Sequence, residues 1–164
     1  MARLTIKGPD EYAQKLSKLG KNSEAIAGRA IYSAADIVAN QIKGNIKALQ
    51  AVPDVKNMAA YRSGKKAQLS YKQRQGLINS FGIARLQTDQ GYYNVKLGFD
   101  GYNQVKTKKY PKGQPNQLIA RVVESGSPYM DKTPFIRPAI NVTRKPAIAE
   151  MQKIIDEETE KIMR

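Results

Sequence analysis

The clearest pattern in the chain is a series of apolar residues spaced three and four apart between residues 26 and 49. The series is Ile26, Ala30, Ile31, Ala34, Ile37, Val38, Ile42, Ile46 and Leu49. This spacing places them on one face of an α-helix, with polar and charged residues on the other face. We expect a long amphipathic helix that Asn22 or Ser23 caps and that ends before Pro53.

Shorter patterns lie on both sides of this helix. Residues 3–7 alternate apolar with polar, which predicts a short strand. Pro9 then favours the start of a first helix, and Gly20 is a natural stop for it. Three later segments predict strands or the approach to one, namely residues 77–84, 92–99 and 118–124. Gln90 and Gly91 suit a turn before the second of these.

The last third of the chain returns to helical spacing. Thr133 and Pro134 favour a helix start, whereas Pro146 is expected to kink or break the helix near residues 142–145. No linker or internal repeat divides the sequence. We therefore predict one α+β domain over residues 1–164, with the long helix and the C-terminal helix packed on a three- to four-stranded antiparallel sheet.

The charge is uneven along the chain and strongly positive overall. Lys and Arg number 28 against 14 Asp and Glu, a formal net charge of +14. Acidic partners are expected, such as nucleic acid, an anionic membrane face or acidic protein surfaces, although high charge can also serve solubility alone. Two segments, 54–75 and 101–116, are predicted to be long basic loops. Their candidate partner-binding residues are Lys56, Arg62, Lys65, Lys66, Lys72, Arg74, Lys106, Lys108, Lys109 and Lys112.

Both loops also contain tyrosines, which can stack on bases, so an alternative to protein contact is nucleic-acid binding. A third interpretation of residues 54–75 is a solvated, mobile loop that holds a helical turn or two. A structureless loop of this length is unusual inside a compact domain and is mostly either functional or disordered.

The composition gives little support for catalysis. The chain has no Cys and no His, so a Ser-His-Asp triad, a thiol nucleophile and a zinc–thiolate site are all excluded. Glu124 stands alone beside Ser125, and we expect it to cap a turn or to pair with a cation. We expect no enzyme activity, cofactor or metal. There is no signal-peptide pattern and no apolar run long enough for a membrane span, so synthesis in the cytoplasm is expected.

Three short motifs in the second half of the chain occur together in a known family. Gly76-Leu77-Ile78-Asn79-Ser80-Phe81 comes first, followed by Val123-Glu124-Ser125-Gly126-Ser127 and then Pro134-Phe135-Ile136-Arg137-Pro138-Ala139. In this order, after a long amphipathic helix, they resemble the tail-completion, or head–tail joining, proteins of long-tailed bacteriophages and prophages. Two departures from that family are Gln75, where Thr is expected, and a longer, more basic segment at 54–75.

The resemblance implies a structural virion protein at the phage neck or upper tail, made in the host cytoplasm. It implies a ring, with the sixfold symmetry of a tail, whose partners are the tail tube or tail terminator, the connector proteins and DNA in the lumen. The motif residues themselves have a structural interpretation. Gly76, Leu77, Ser80, Glu124, Gly126, Pro134, Phe135, Pro138 and Ala139 would maintain the fold, with Glu124 at a strand end.

Overall fold

Two long helices that pack against each other form the frame of the protein. A computed structural model describes residues 8–164, and side-chain surroundings from residue 13 onward; the strand predicted at 3–7 lies outside these residues. The first helix, α1, spans Gly8–Ala48, and the last, α5, spans Ile136–Met163. They are antiparallel, because Asn45 Nδ2 donates to the Phe135 carbonyl at 2.9 Å, while Arg29 pairs with Glu158 at the other end.

The predicted stop at Gly20 is wrong, since α1 continues through it for 41 residues, roughly 60 Å. A glycine ends a helix by adopting positive φ, and Gly20 is not among the glycines that do so. Its cost within a helix is only about 1 kcal/mol, which the packing of α1 along α5 outweighs. Asn22 and Ser23 therefore lie inside α1 and do not begin it. The predicted end before Pro53 is confirmed.

Pro146 does not break α5, which is continuous across it. Proline removes one backbone hydrogen bond from a helix. Here Thr143 and Ala147, on either side, are both buried, so packing holds the turn in place. Thr133 does not cap α5 either, because its N-cap residue is Phe135.

Three short helices connect the frame to the strands. They are α2 (Asp54–Arg62), α3 (Tyr71–Ser80) and α4 (Asn116–Ser125). The strand predicted at 118–124 is wrong, because this segment belongs to α4. Ile119, Ala120 and Val123 fall on one helical face and are buried, so packing overrides the strand preference of their β-branched neighbours.

The strands form two small antiparallel sheets in place of the single larger sheet that the sequence predicted. β1 (Phe81–Ile83) pairs with β4 (Leu97–Phe99), and β2 (Gln87–Asp89) pairs with β3 (Tyr92–Asn94). The turn at Gln90 and Gly91 is confirmed, with both residues at positive φ, as a tight hairpin requires. The mixed helix-and-strand class and the antiparallel pairing are confirmed; the predicted strand at 77–84 is helical as far as Ser80.

One hydrophobic cluster lies where α1, α3, α4, β1, β4 and the start of α5 meet. Its most buried large side chains are Ile46, Leu77 and Phe135, each at most 1% exposed. Phe99 contacts both Phe81 and Phe135 through tilted or edge-on rings, with centroids 5.0 and 6.1 Å apart. Such ring pairs stabilise the cluster beyond what the burial of its apolar area contributes.

Candidate partner-binding surface

The first basic segment is mostly helical. Residues 54–62 form α2, residues 71–80 form α3, and only residues 63–70 connect them. The prediction of a long loop over 54–75 is therefore wrong, and the segment contains more helix than the helical turn or two that the third interpretation allowed. α3 begins with a capping box, in which Ser70 and Gln73 each bond the other's backbone N–H. By contrast, α2 contains no buried residue, and Val55, Met58 and Tyr61 are all exposed.

The second basic segment has no strand or helix between Asp100 and Asn116, as its prolines and glycines predicted. Asn103 organises it from within. Its Oδ1 accepts from the backbone N–H of Val105 at 2.8 Å and of Gln114 at 3.3 Å, so it joins the two arms of the loop. Gly113 has φ +114, and a Cβ there would collide with the Asn103 carbonyl. Only glycine fits this position without distortion.

The structure brings the two basic segments together. Gln73 Nε2, on α3, donates to Gln114 Oε1 in the second segment at 2.8 Å. A groove of about 320 Å³ runs between the segments, with Lys72 on one wall and Lys106 on the other. We call the exposed face of residues 54–75 and 101–116 the basic face. Its two halves were predicted separately, and nothing in the sequence indicated that they touch.

Four of the ten predicted partner-binding residues already have partners within the chain. Lys66 pairs with Asp131, and Lys72 pairs with Asp54 at 3.1 Å. Arg74 donates to the Leu49 carbonyl at 2.8 Å and lies over the Tyr71 ring. Lys109 lies over the ring of Tyr110, with Nζ 5.5 Å from its centroid.

The other six have exposed side chains that make no ion pair with any residue of the described part of the chain. They are Lys56, Arg62, Lys65, Lys106, Lys108 and Lys112. These six cations are the members of the predicted set that are open to a partner.

Glu124 does not lie at a strand end, as the sequence suggested, but in the last turn of α4, where it caps a different helix. Its carboxylate accepts three backbone N–H bonds from the start of α5, from Phe135 at 2.7 Å, Ile136 at 2.8 Å and Arg137 at 2.9 Å. The first N–H groups of a helix lack partners within it and favour negative charge. The N-cap residue Phe135 has no side chain that could accept these bonds, and the carboxylate of Glu124 accepts them in its place.

The pKa of Glu124 reflects this position. Burial raises the pKa, but the three backbone N–H groups of Ile136, Arg137 and Phe135 and the positive charge of Arg137 together bring it below its ordinary value. Hydrogen bonds to the charged form are the main favourable cause. Glu124 is therefore ionised at neutral pH, as a capping anion should be.

The three sequence motifs meet at one place in the fold. Leu77, Phe135 and Ala139 belong to the same buried cluster. Gly126, with φ +79, follows α4, and a Cβ there would approach Lys132 at 3.1 Å. The order of the last two motifs thus has a physical reason, because Glu124 of the second motif caps the helix that the third motif begins.

The remaining motif residues lie at the edge of this cluster. Gly76 and Ser80 are half-buried on α3, and Pro134 and Pro138 are exposed on either side of Phe135. Pro134 precedes α5 and Pro138 lies in its first turn, where proline costs a helix little.

Among the side chains that the structure describes, those of residues 13–164, no group of three or more acidic residues is arranged to hold a metal ion. No helix in the same range is long and apolar enough to cross a bilayer. Searches against protein-family models, curated proteins and solved structures found no match to this chain. The phage resemblance stays a prediction carried by the motifs.

Sequence reasoning overlooked two asparagines that organise the region next to the basic face. Asn103 and Asn116 are both almost fully buried. Asn103 follows Gly101 and Tyr102 in the second basic segment, where the predictions rested on the lysines, tyrosines, prolines and glycines. The signal was available, because Asn is common in turns, where its side chain bonds the backbone two residues on, as Asn103 bonds Val105.

Proposed function

We propose that this protein is a structural component of a bacteriophage particle, at the head–tail junction or the upper end of the tail. It would act in tail completion and head–tail joining by assembling into a ring and would have no enzymatic role. The basic face would contact acidic surfaces of neighbouring subunits, the tail tube or the connector, with DNA in the lumen as a further contact.

The observation that carries this proposal is the convergence of the three motifs. Glu124 of the second motif binds the helix N-terminus that Phe135 of the third motif begins, and Leu77 of the first packs in the same cluster. The resemblance implies that these residues maintain the fold, and their meeting at one junction supports that interpretation.

The second support is the basic face. It carries six exposed cations, of which Lys106 lines the groove. It also includes α2, a helix with no buried residue and with exposed Val55, Met58 and Tyr61. Exposed apolar side chains within a polar, charged rim are typical of protein interfaces. A helix with such an exposed apolar surface is better explained by a partner than by the stability of the single chain.

Light scattering on nuclease-treated protein after size exclusion tests the proposal, followed by electron microscopy of any large species. We expect closed rings whose mass is a multiple of the monomer. The basic-face variant changes six cations to Gln and should shift the protein toward monomer. Its residues are Lys56, Arg62, Lys65, Lys106, Lys108 and Lys112. The control removes equal charge from the two long helices and should still assemble. Its residues are Lys18, Lys21, Lys43, Lys47, Lys145 and Lys153.

The alternative is a nucleic-acid-binding protein with little sequence specificity. It is favoured by Tyr61, Tyr71 and Tyr102, which are 78%, 51% and 64% exposed beside the basic groups. If all six cations contact phosphates, the affinity for duplex DNA should fall with salt with a log–log slope of about −5. A monomer that binds DNA in this way at physiological salt, and forms no ring at any concentration, would reject the assembly proposal.

A further inference from the structure

The last helix buries few of its own side chains. Of the 28 residues of α5, only the small side chains of Ala139, Thr143 and Ala147 are buried. Among the described elements, α1 alone packs extensively on α5. A surface helix normally buries its larger apolar residues, whereas α5 keeps such residues on a side that the described part of the chain leaves uncovered.

This uncovered side is centred on Gln152. Gln152 comes nine residues after the buried Thr143, or about two and a half helical turns, so the two side chains project from opposite sides of α5. Ile148 and Ile155 lie on either side of Gln152 and are 59% and 36% exposed. We call this side the outer face of α5, and its exposed members are Lys145, Ile148, Gln152, Ile155 and Asp156.

The outer face carries opposite charges at its two ends. Lys145 precedes the two isoleucines and Asp156 follows them, and neither forms an ion pair within the described part of the chain. The whole helix has the same polarity. Residues 136–149 contain three cations and no acid, whereas residues 150–160 contain five acids and one cation.

A second α5 that runs in the opposite direction complements this face. Turning the helix end for end brings its basic half against the acidic half of the first copy. Ile148 of each copy then meets Ile155 of the other, and Lys145 lies on the same side of the contact as Asp156 of the other. The midpoint between the two isoleucines falls beside Gln152, which therefore lies at the two-fold axis and meets its own copy. Such reciprocal contacts are the property of an isologous interface.

The charges of the face disfavour other arrangements. A parallel copy would place cations against cations and acids against acids, which is unfavourable. A nucleic acid would be repelled by the acids of residues 150–160. The exposed isoleucines between the opposite charges give the apolar centre and polar rim that are typical of a protein contact.

We propose that the outer face of α5 pairs with the same face of a second copy of this chain in antiparallel orientation. The α1 and α5 helices of the two copies then form a four-helix bundle, an arrangement in which each helix packs on more than one neighbour. This inference goes beyond the proposed ring, because it uses a different surface from the basic face and a two-fold axis.

Sedimentation velocity on the basic-face variant tests the pairing without any contribution from ring contacts. We expect a monomer–dimer equilibrium with a Kd below about 100 µM. Ile148→Ser should raise that Kd at least about tenfold, because symmetry removes two contacts with one substitution. Since Ile148 is exposed, the circular dichroism of the variant should match that of the parent.

A charge exchange tests the orientation. Lys145→Glu alone and Asp156→Lys alone each place like charges together twice, and each should raise the Kd at least about tenfold. The double variant restores opposite charges and should return to within about threefold of the parent. Lys153→Glu makes the same charge change on α5 outside the outer face, so it is the matched control and should bind like the parent.

Disulfide formation tests the position of the axis, since the natural chain has no cysteine. Gln152→Cys should form linked dimers readily under mild oxidation, because a disulfide requires Cβ atoms about 3.5–4.5 Å apart. Asn40→Cys, at an exposed position on α1, is the control and should link slowly. Ile148→Cys should link to Ile155→Cys faster than either links to itself.

The pairing is rejected if the basic-face variant stays monomeric up to about 500 µM, a concentration well above the expected Kd. It is also rejected if the double charge variant shows no recovery, or if Gln152→Cys links no faster than Asn40→Cys. Rings of the parent protein together with a monomeric basic-face variant would support the ring and reject this pairing. A dimer without any ring would do the reverse.

Discussion

Removing the carboxylate of Glu124 should destabilise the protein through a helix to which Glu124 does not belong. Loss of an N-cap costs about 0.5–2 kcal/mol, and loss of an anion at a helix N-terminus about 0.3–1 kcal/mol more. Because Glu124 lies in the last turn of α4, where negative charge is unfavourable, its removal regains a few tenths of a kcal/mol there. We expect Glu124→Ala to lower the free energy of unfolding by about 2 kcal/mol, or the Tm by about 4–8 °C.

The pH dependence separates this cap from ordinary packing. The pKa of Glu124 is lowered in the folded protein, so its contribution is fully present above the unfolded pKa, near 4.5, and is lost as the pH falls through the lowered folded pKa. The difference in unfolding free energy between the parent and Glu124→Gln should therefore be largest at neutral pH and shrink below about pH 4.5.

Urea unfolding at several pH values, followed by circular dichroism, measures both effects. Glu157→Gln is the control, because Glu157 is exposed on α5 and makes no ion pair within the described part of the chain; it should change stability by less than about 0.5 kcal/mol. The capping argument is refuted if the two variants lose equal stability, or if the Glu124→Gln difference is constant with pH.

Three further changes test the packing. Phe135→Ala should cost about 3–5 kcal/mol in urea unfolding, because its 1%-exposed ring joins α5 to Phe99; a loss below 1 kcal/mol would contradict the core assignment. Pro146→Ala should raise the Tm, since it restores one backbone bond inside α5, and a lower Tm would show that the proline is required. Gly113→Ala should lower unfolding free energy about 1–3 kcal/mol further than Gly64→Ala, because both have positive φ but only Gly113 meets other atoms; equal losses would rule out the predicted collision.

The sequence predicts the elements whose periodicity is long and regular. The apolar series from Ile26 to Leu49 extends over many turns, so the existence of α1 follows from it directly. The short segment 118–124 is too brief for periodicity to decide between strand and helix, and its β-branched residues favoured the wrong answer. The helix ends predicted from Gly20 and Pro146 are wrong for a related reason. Both signals are local, and the contact between α1 and α5 overrides them.

The candidate sites depend even more on tertiary structure. The lysines of the basic face can be read from composition, but the contact between Gln73 and Gln114 that joins its two halves spans 41 residues. Likewise, Asn103 joins the two arms of the second basic segment only because its Oδ1, and not its Nδ2, faces the backbone N–H groups of Val105 and Gln114. No spacing in the sequence encodes that distinction.

The pairing of α1 with α5 also has a consequence for how the chain acquires its structure. The contacts that define the pair join residues 90 to 148 positions apart, from Asn45–Phe135 to Lys15–Met163. Closing such large loops lowers the conformational entropy of the chain before the stabilising contacts have formed, and this slows folding. During synthesis, the apolar stripe of α1 emerges from the ribosome well before its partner helix. Nascent chains should therefore need protection from aggregation until α5 is made.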